Sequence, residues 1–175
     1  IFCSTKINDL KSINFMNKIF LSLSLSLFIS IGYTQLPNIN LKDVNGVTKN
    51  LSKFNNNGNP IIISFWATWC KPCKAELNTI AEEYDDWTDE TGVKLIAVSI
   101  DDARSSTRVE PYINAQGWEY LVLLDPNGDL KRAMNVNNVP HTFLVDGNGK
   151  IVWDHNNYSP GDEEELYEEL VKIAK

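Results

Sequence analysis

Apolar positions in this chain fall into alternating and helical stretches that follow one another in an ordered way. Residues 36–54, "LPNINLKDVNGVTKNLSKF", alternate about Asn45-Gly46, which predicts a hairpin of residues 39–41 and 47–50. The polar "NNNGNP" of residues 55–60 is a loop. Residues 60–66, "PIIISFW", form a continuous β-branched and aromatic run with Ser64 as its one polar member, the pattern of a strand covered on both faces. From Cys70 to about Trp87 the period becomes helical, and residues 93–100, "VKLIAVSI", give a second buried strand. A helix over residues 105–116 contains Pro111, which predicts a kink or a late start. A short strand at 121–124, the turn "DPNG" and a helical piece at 129–134 come next. "HTFLVD", "GNG" and "KIVWDH" then spell a hairpin. Residues 163–175 close the chain as an amphipathic helix, with Leu166, Leu170 and Ile173 on one stripe. This order of strands and helices predicts an α/β fold with a mixed central sheet, because the connections are long enough for parallel crossovers.

At 175 residues the chain has room for one domain with a sizeable core. Hydrophobic residues make up 43% and charged residues 22%, an ordinary balance for a folded domain. The formal net charge is −7, and no run of five or more basic residues occurs. Such a surface repels phosphate backbones, so nucleic acid is excluded as a partner.

The front of the chain reads as a processing signal. From Met16, "MNKIFLSLSLSLFISIGYTQ" offers a basic start at Lys18, then a 13-residue apolar stretch to Ile31, then Gly32 and Thr34 ahead of a cleavage point before Gln35. Interrupted by Ser22, Ser24, Ser26 and Ser30, the stretch falls short of the ~20 residues that span a bilayer, although an uncleaved anchor is the competing reading. Residues 1–15 are read as an upstream extension, so residues 1–34 are set apart from a domain of residues 35–175. Without Lys6, Lys11, Lys18 and Asp9, the 16 basic and 23 acidic residues become 13 and 22, a net charge of −9.

This division bears on the cysteines. Cys3 lies in the leader, leaving Cys70 and Cys73 alone in a compartment where disulfides persist. A zinc site needs about four ligands, and only His141 and His155 could join the pair, so no metal is expected. A structural bridge closing so short a loop removes little entropy from the unfolded chain. Redox chemistry fits better. Cys70 stands at a helix start, where unpaired N–H groups and the helix dipole stabilise a thiolate, and Lys71 adds positive charge. Pro72 suits the first turn, where its missing N–H does no harm. Leu77, Ile80 and Tyr84 lie within about 40° of Cys73 around the helix, so Cys73 faces the interior and Cys70 the exposed end.

With these residues the chain resembles the thioredoxin fold and, more closely, the TlpA/ResA-like exported thiol-disulfide oxidoreductases. The resemblance covers residues 36–175 and rests on "FWATWCKPCKAEL", "VPHTFLVDGNGKIVW" and the opening "LKDVNGVTKNLS". It implies a thioredoxin-like α/β fold, a mixed central sheet flanked by helices, with an N-terminal β-hairpin and a short β–α insertion. It implies that Pro140 is cis and faces a redox-active Cys70–Cys73 disulfide, while Val139 offers its backbone to a substrate. Trp69 is expected to flank the sulfurs on the binding surface, and Trp66 to be packing. No small-molecule cofactor is implied. The implied partners are protein thiols and disulfides and a membrane thiol-electron donor, with apocytochrome c among the substrates of the family and a periplasmic or other extracytoplasmic location.

Departures from the pattern sharpen the expectations. Thioredoxins carry a buried aspartate where this chain has Ser64, which removes the usual proton acceptor for Cys73. Glu76, about 60° around the helix from Cys73 and one turn on, is the expected replacement, with a raised pKa. The alternative for Glu76 is a solvated first-turn acid. Asn78 stands where the family often has a kinking proline, so a straighter helix is expected. His141 is read as a solvent-facing loop residue, and Asp101 and Asp102 as a strand-end turn and helix cap. Three rival readings remain, one of them a metal shared between two chains through Cys70, Cys73 and His141. A peroxide-reducing relative would carry Thr or Ser where Ala67 stands, three residues before Cys70, and a binding module would use the groove near Val139 and Trp69 without turnover.

Overall fold

The computed structural model describes residues 35–174. The upstream extension, the signal segment and Cys3 lie outside the described residues.

Seven strands form one sheet: β1 (Asn40–Asp43), β2 (Thr48–Asn50), β3 (Ile61–Trp66), β4 (Lys94–Ser99), β5 (Leu121–Leu124), β6 (His141–Val145) and β7 (Ile151–Asn156). Their spatial order is β2-β1-β5-β4-β3-β6-β7. β3, β4 and β5 run parallel, and β1, β6 and β7 join antiparallel, so the sheet is mixed. Among the described residues four α-helices accompany the sheet: α1 (Lys71–Thr91), α2 (Val109–Gln116), α3 (Asp129–Ala133) and α4 (Asp162–Ile173). This is the thioredoxin-like arrangement, with the β1–β2 hairpin added at the front and β5–α3 inserted before β6.

The hairpin turns at Asn45-Gly46 as the sequence predicts, with Gly46 at φ 80°. Every residue of β3 is buried, in keeping with its central place. Strand alternation sends Ile61, Ile63 and Phe65 into one core with Leu130, Met134, Phe143 and Val145. Ile62 and Trp66 enter the other core, with Leu77 and Ile80 of α1 and Leu166 and Leu170 of α4. Ser64 shares that second face, beneath α1. Trp66 is fully buried against Tyr112 and Trp118, the packing role expected of it.

Two element bounds depart from the periodicity in instructive ways. α1 continues four residues past Trp87 and stops where Gly92 takes the left-handed conformation and its N–H reaches the Thr88 carbonyl. The polar "TDET" turn hides this extension from a hydrophobic period. The helix over 105–116 divides into a 3-10 turn, Ser106–Arg108, and α2, so that Pro111 falls in the first turn of α2. α1 itself runs unbroken through Asn78, whose Oδ1 accepts from Trp118 Nε1 at 2.9 Å.

Candidate active site

β3 ends at Trp66, and the chain turns through Ala67, Thr68 and Trp69 into Cys70, the N-cap of α1. Cys70 and Cys73 form a disulfide with Cα atoms 5.4 Å apart. The N–H of Cys73, one of the donors left unpaired at a helix start, points at Cys70 Sγ at 3.2 Å. That donor and the helix dipole favour negative charge on this sulfur when the bridge opens. The two sulfurs differ in access less than the helical wheel suggests: Cys70 is 4% exposed and Cys73 wholly enclosed. Beside them Trp69 is 64% exposed, the most exposed large apolar side chain among the described residues.

The turn before Cys70 is anchored from β4. Asp101, 1% exposed, accepts from the Thr68 N–H at 2.8 Å, the Thr68 hydroxyl at 2.6 Å and the Ser99 hydroxyl at 2.9 Å. Sequence reasoning places Asp101 at a strand end but misses this clamp, because the two Thr68 donors sit 33 residues away in the chain. Asp102 behaves as a turn residue, accepting from the N–H groups of Arg104 and Ser105. The hydroxyl of Thr68 is engaged by Asp101, and Ala67 carries none.

Opposite the disulfide, Val139 and Pro140 are joined by a cis peptide bond. The Val139 carbonyl oxygen stands 3.7 Å from Cys70 Sγ. Val139, Pro140, Cys70 and Cys73 are therefore brought together, with Trp69 at the rim.

Glu76 lies one turn beyond Cys73 and is 5% exposed, not a solvated first-turn acid. The Thr142 hydroxyl donates to its Oε1 at 2.7 Å and the Ser64 hydroxyl to its Oε2 at 3.2 Å. Burial raises its pKa from the ordinary 4.5 to about 7. The hydroxyls of Thr142 and then Ser64 pull it back, while the charges of Asp162 and Glu163 push it further up.

His141 requires a correction. It is not in a solvent-facing loop but opens β6, 8% exposed, stacked on Phe143 at 4.2 Å with Nε2 3.0 Å from Asp154 Oδ2. The cause is strand alternation: Thr142 reaches Glu76 on the α1 side, so His141 and Phe143 turn to the opposite face, away from the sulfurs. Among the described residues, no group of three or more His, Cys, Asp or Glu side chains could hold a metal ion.

Comparison with known proteins places this geometry. Residues 33–154 match the AhpC/TSA family. The chain belongs to that family. Thiol-disulfide oxidoreductase ResA of Bacillus subtilis is 34% identical over 116 residues, covering 66% of this chain and 62% of the relative. ResA of Geobacillus kaustophilus is 32% identical over 123 residues, covering 70% of this chain and 67% of that one. The chain thus spans a little under two thirds of the Bacillus subtilis relative's length. Among solved structures, a thioredoxin-like protein from Porphyromonas gingivalis is 54% identical with a TM-score of 0.72, covering 81% of this chain and 93% of that one. The AhpC/TSA membership and these relatives agree with the thioredoxin-like fold.

Proposed function

We propose that this protein is an extracytoplasmic thiol-disulfide oxidoreductase that reduces disulfides in partner proteins. The observation that carries the reading is the Cys70–Cys73 disulfide at the start of α1, with a buried carboxyl, Glu76, one turn behind it. Kinship with proteins named thiol-disulfide oxidoreductase supports it.

In the reduced protein, Cys70 Sγ is the attacking thiolate, held by the Cys73 N–H and the helix dipole. It attacks one sulfur of the partner's disulfide, and the other partner sulfur leaves as a thiolate, giving a mixed disulfide. Glu76, with a pKa of about 7, takes the Cys73 proton. Cys73 Sγ then attacks Cys70 Sγ, the bond from Cys70 to the partner breaks, and the partner departs with both sulfurs reduced. Two electrons have passed to the partner, and the protein is left as the Cys70–Cys73 disulfide. Val139 and Trp69 bound the surface on which the partner lies, and Pro140, which has no N–H, presents no donor to the sulfurs. The signal reading of residues 16–34 supports export, and a membrane thiol donor is the proposed source of electrons, with apocytochrome c thiols as one substrate class.

Insulin reduction by the wild type and Cys70→Ser tests the activity: equal rates would leave only a binding module. Cys73→Ser should accumulate the mixed disulfide and identify the partner. The direction is checked by the reduction potential, and a value near the roughly −120 mV of a dedicated disulfide donor would reverse it. Ala67 speaks against the peroxide-reducing alternative, and a peroxide-consumption assay should show no turnover.

A further inference from the structure

Glu76 meets two hydroxyls, and their placement is not accidental to the sheet. Ser64 and Thr142 are direct register partners across the antiparallel pair β3–β6. Opposed residues of such a pair send their side chains to the same face with Cβ atoms about 5 Å apart. Here that face lies under α1, and both hydroxyls are enclosed: Ser64 is 0% and Thr142 1% exposed. Glu76 descends from the helix onto the pair, and each of its oxygens receives one hydroxyl, at 2.7 Å from Thr142 and 3.2 Å from Ser64. Among the described residues the carboxyl has no other hydrogen-bond partner.

We propose that Ser64 and Thr142 are positioning residues, a two-hydroxyl cradle built across β3 and β6 that lets Glu76 gain and lose a proton without leaving the protein interior. A hydroxyl is the side-chain group suited to this task. It donates one hydrogen to a carboxylate, and by rotating about its C–O bond it accepts from the same group once protonated. An amide or ammonium lacks that reversibility at a single atom. With the cradle in place, neither protonation state strands a buried polar atom, which would otherwise be costly. The shorter bond assigns the larger share to Thr142. The opposing pulls on Glu76, upward from burial and downward from Thr142 and then Ser64, agree with that ranking.

The cradle also explains what becomes of the β3 position from which thioredoxins present their own buried acid. In this chain the strand position is Ser64, a donor to the acid that α1 supplies. That Glu76 serves Cys73 rests on the exchange reaction proposed above; the cradle does not.

The two ideas are separable by experiment. In the oxidised protein neither Cys70 nor Cys73 titrates, so carbon-13 NMR of the Glu76 carboxyl reports the cradle alone. Thr142→Val should raise the titration midpoint by about one pH unit, a tenfold change in proton affinity, because a hydrogen bond to the charged form is lost. Ser64→Ala should raise it by less, and Thr142→Ser, which keeps the hydroxyl, should stay within a few tenths of the wild type. Unmoved midpoints in Thr142→Val and Ser64→Ala overturn the proposal, as does a Thr142→Ser shift equal to that of Thr142→Val. In the reduced protein, the pH profile of Cys73 alkylation is compared between wild type and Glu76→Gln. An identical profile there removes the proton-transfer role for Glu76, and shifted midpoints in the oxidised variants leave the cradle standing.

Discussion

Glu76→Gln should make this protein more stable at alkaline pH, an unusual outcome for removing a site residue. The folded pKa of Glu76 is about 7 against an ordinary 4.5, and burial is the main cause. The group therefore holds its proton more tightly folded than unfolded. Below the unfolded pKa both states are protonated and nothing is lost. As pH rises from 4.5 to 7 the unfolded chain releases its proton first, stability falls, and above 7 the loss is complete. The gap of two and a half pH units, at about 1.4 kcal/mol each, amounts to about 3–4 kcal/mol. Glutamine has nearly the same shape and no charge, and either cradle hydroxyl can accept from its amide. Urea unfolding of the oxidised proteins at pH 5 and pH 8 gives the comparison, since titrations elsewhere in the chain are common to both and cancel. The variant should match the wild type within about 1 kcal/mol at pH 5 and exceed it by about 2–3 kcal/mol at pH 8. Parallel pH dependence in the two proteins would refute the reasoning, because Glu76 would then ionise as readily inside as outside.

Other expectations are simpler to test. Asp101→Ala strands the Thr68 N–H and the hydroxyls of Thr68 and Ser99, so it should destabilise by about 3 kcal/mol or more in chemical denaturation. Asp101→Asn should lose part of that, since one oxygen remains to accept. Trp69→Ala should leave stability within about 0.5 kcal/mol, because the side chain is exposed, yet raise KM for a protein disulfide. An unchanged KM would remove Trp69 from the binding surface.

Much of the fold is legible because its elements are written in local periodicity. The Asn45-Gly46 turn, the fully buried β3 and the amphipathic α4 each follow from a few neighbouring residues. The cysteine pair at a helix start is legible for the same reason: Cys70, Lys71, Pro72 and Cys73 are contiguous. Where local pattern misleads, the deciding contacts are distant in the chain. His141 looks like a loop residue beside a proline until β6 pairs with β3 and β7 and turns its ring onto Phe143 and Asp154. Asp101 looks like a turn residue until Thr68, on a different connection, comes to lie against it. Thr142 carries no sequence signal at all, since a threonine in a strand is ordinary.

Element order, the mixed α/β class and the position of the sulfurs at a helix N-terminus thus belong to the chain as written, because propensity and period act over a handful of residues. The environment of Glu76 does not. Whether that acid is a solvated helix residue or a buried one with a pKa of about 7 depends on how α1 packs on the sheet, and which hydroxyls meet it depends on which residue of β6 stands opposite Ser64. Register is a non-local property, and a slip of one residue would send Thr142 to the other face of the sheet and leave His141 beneath the helix.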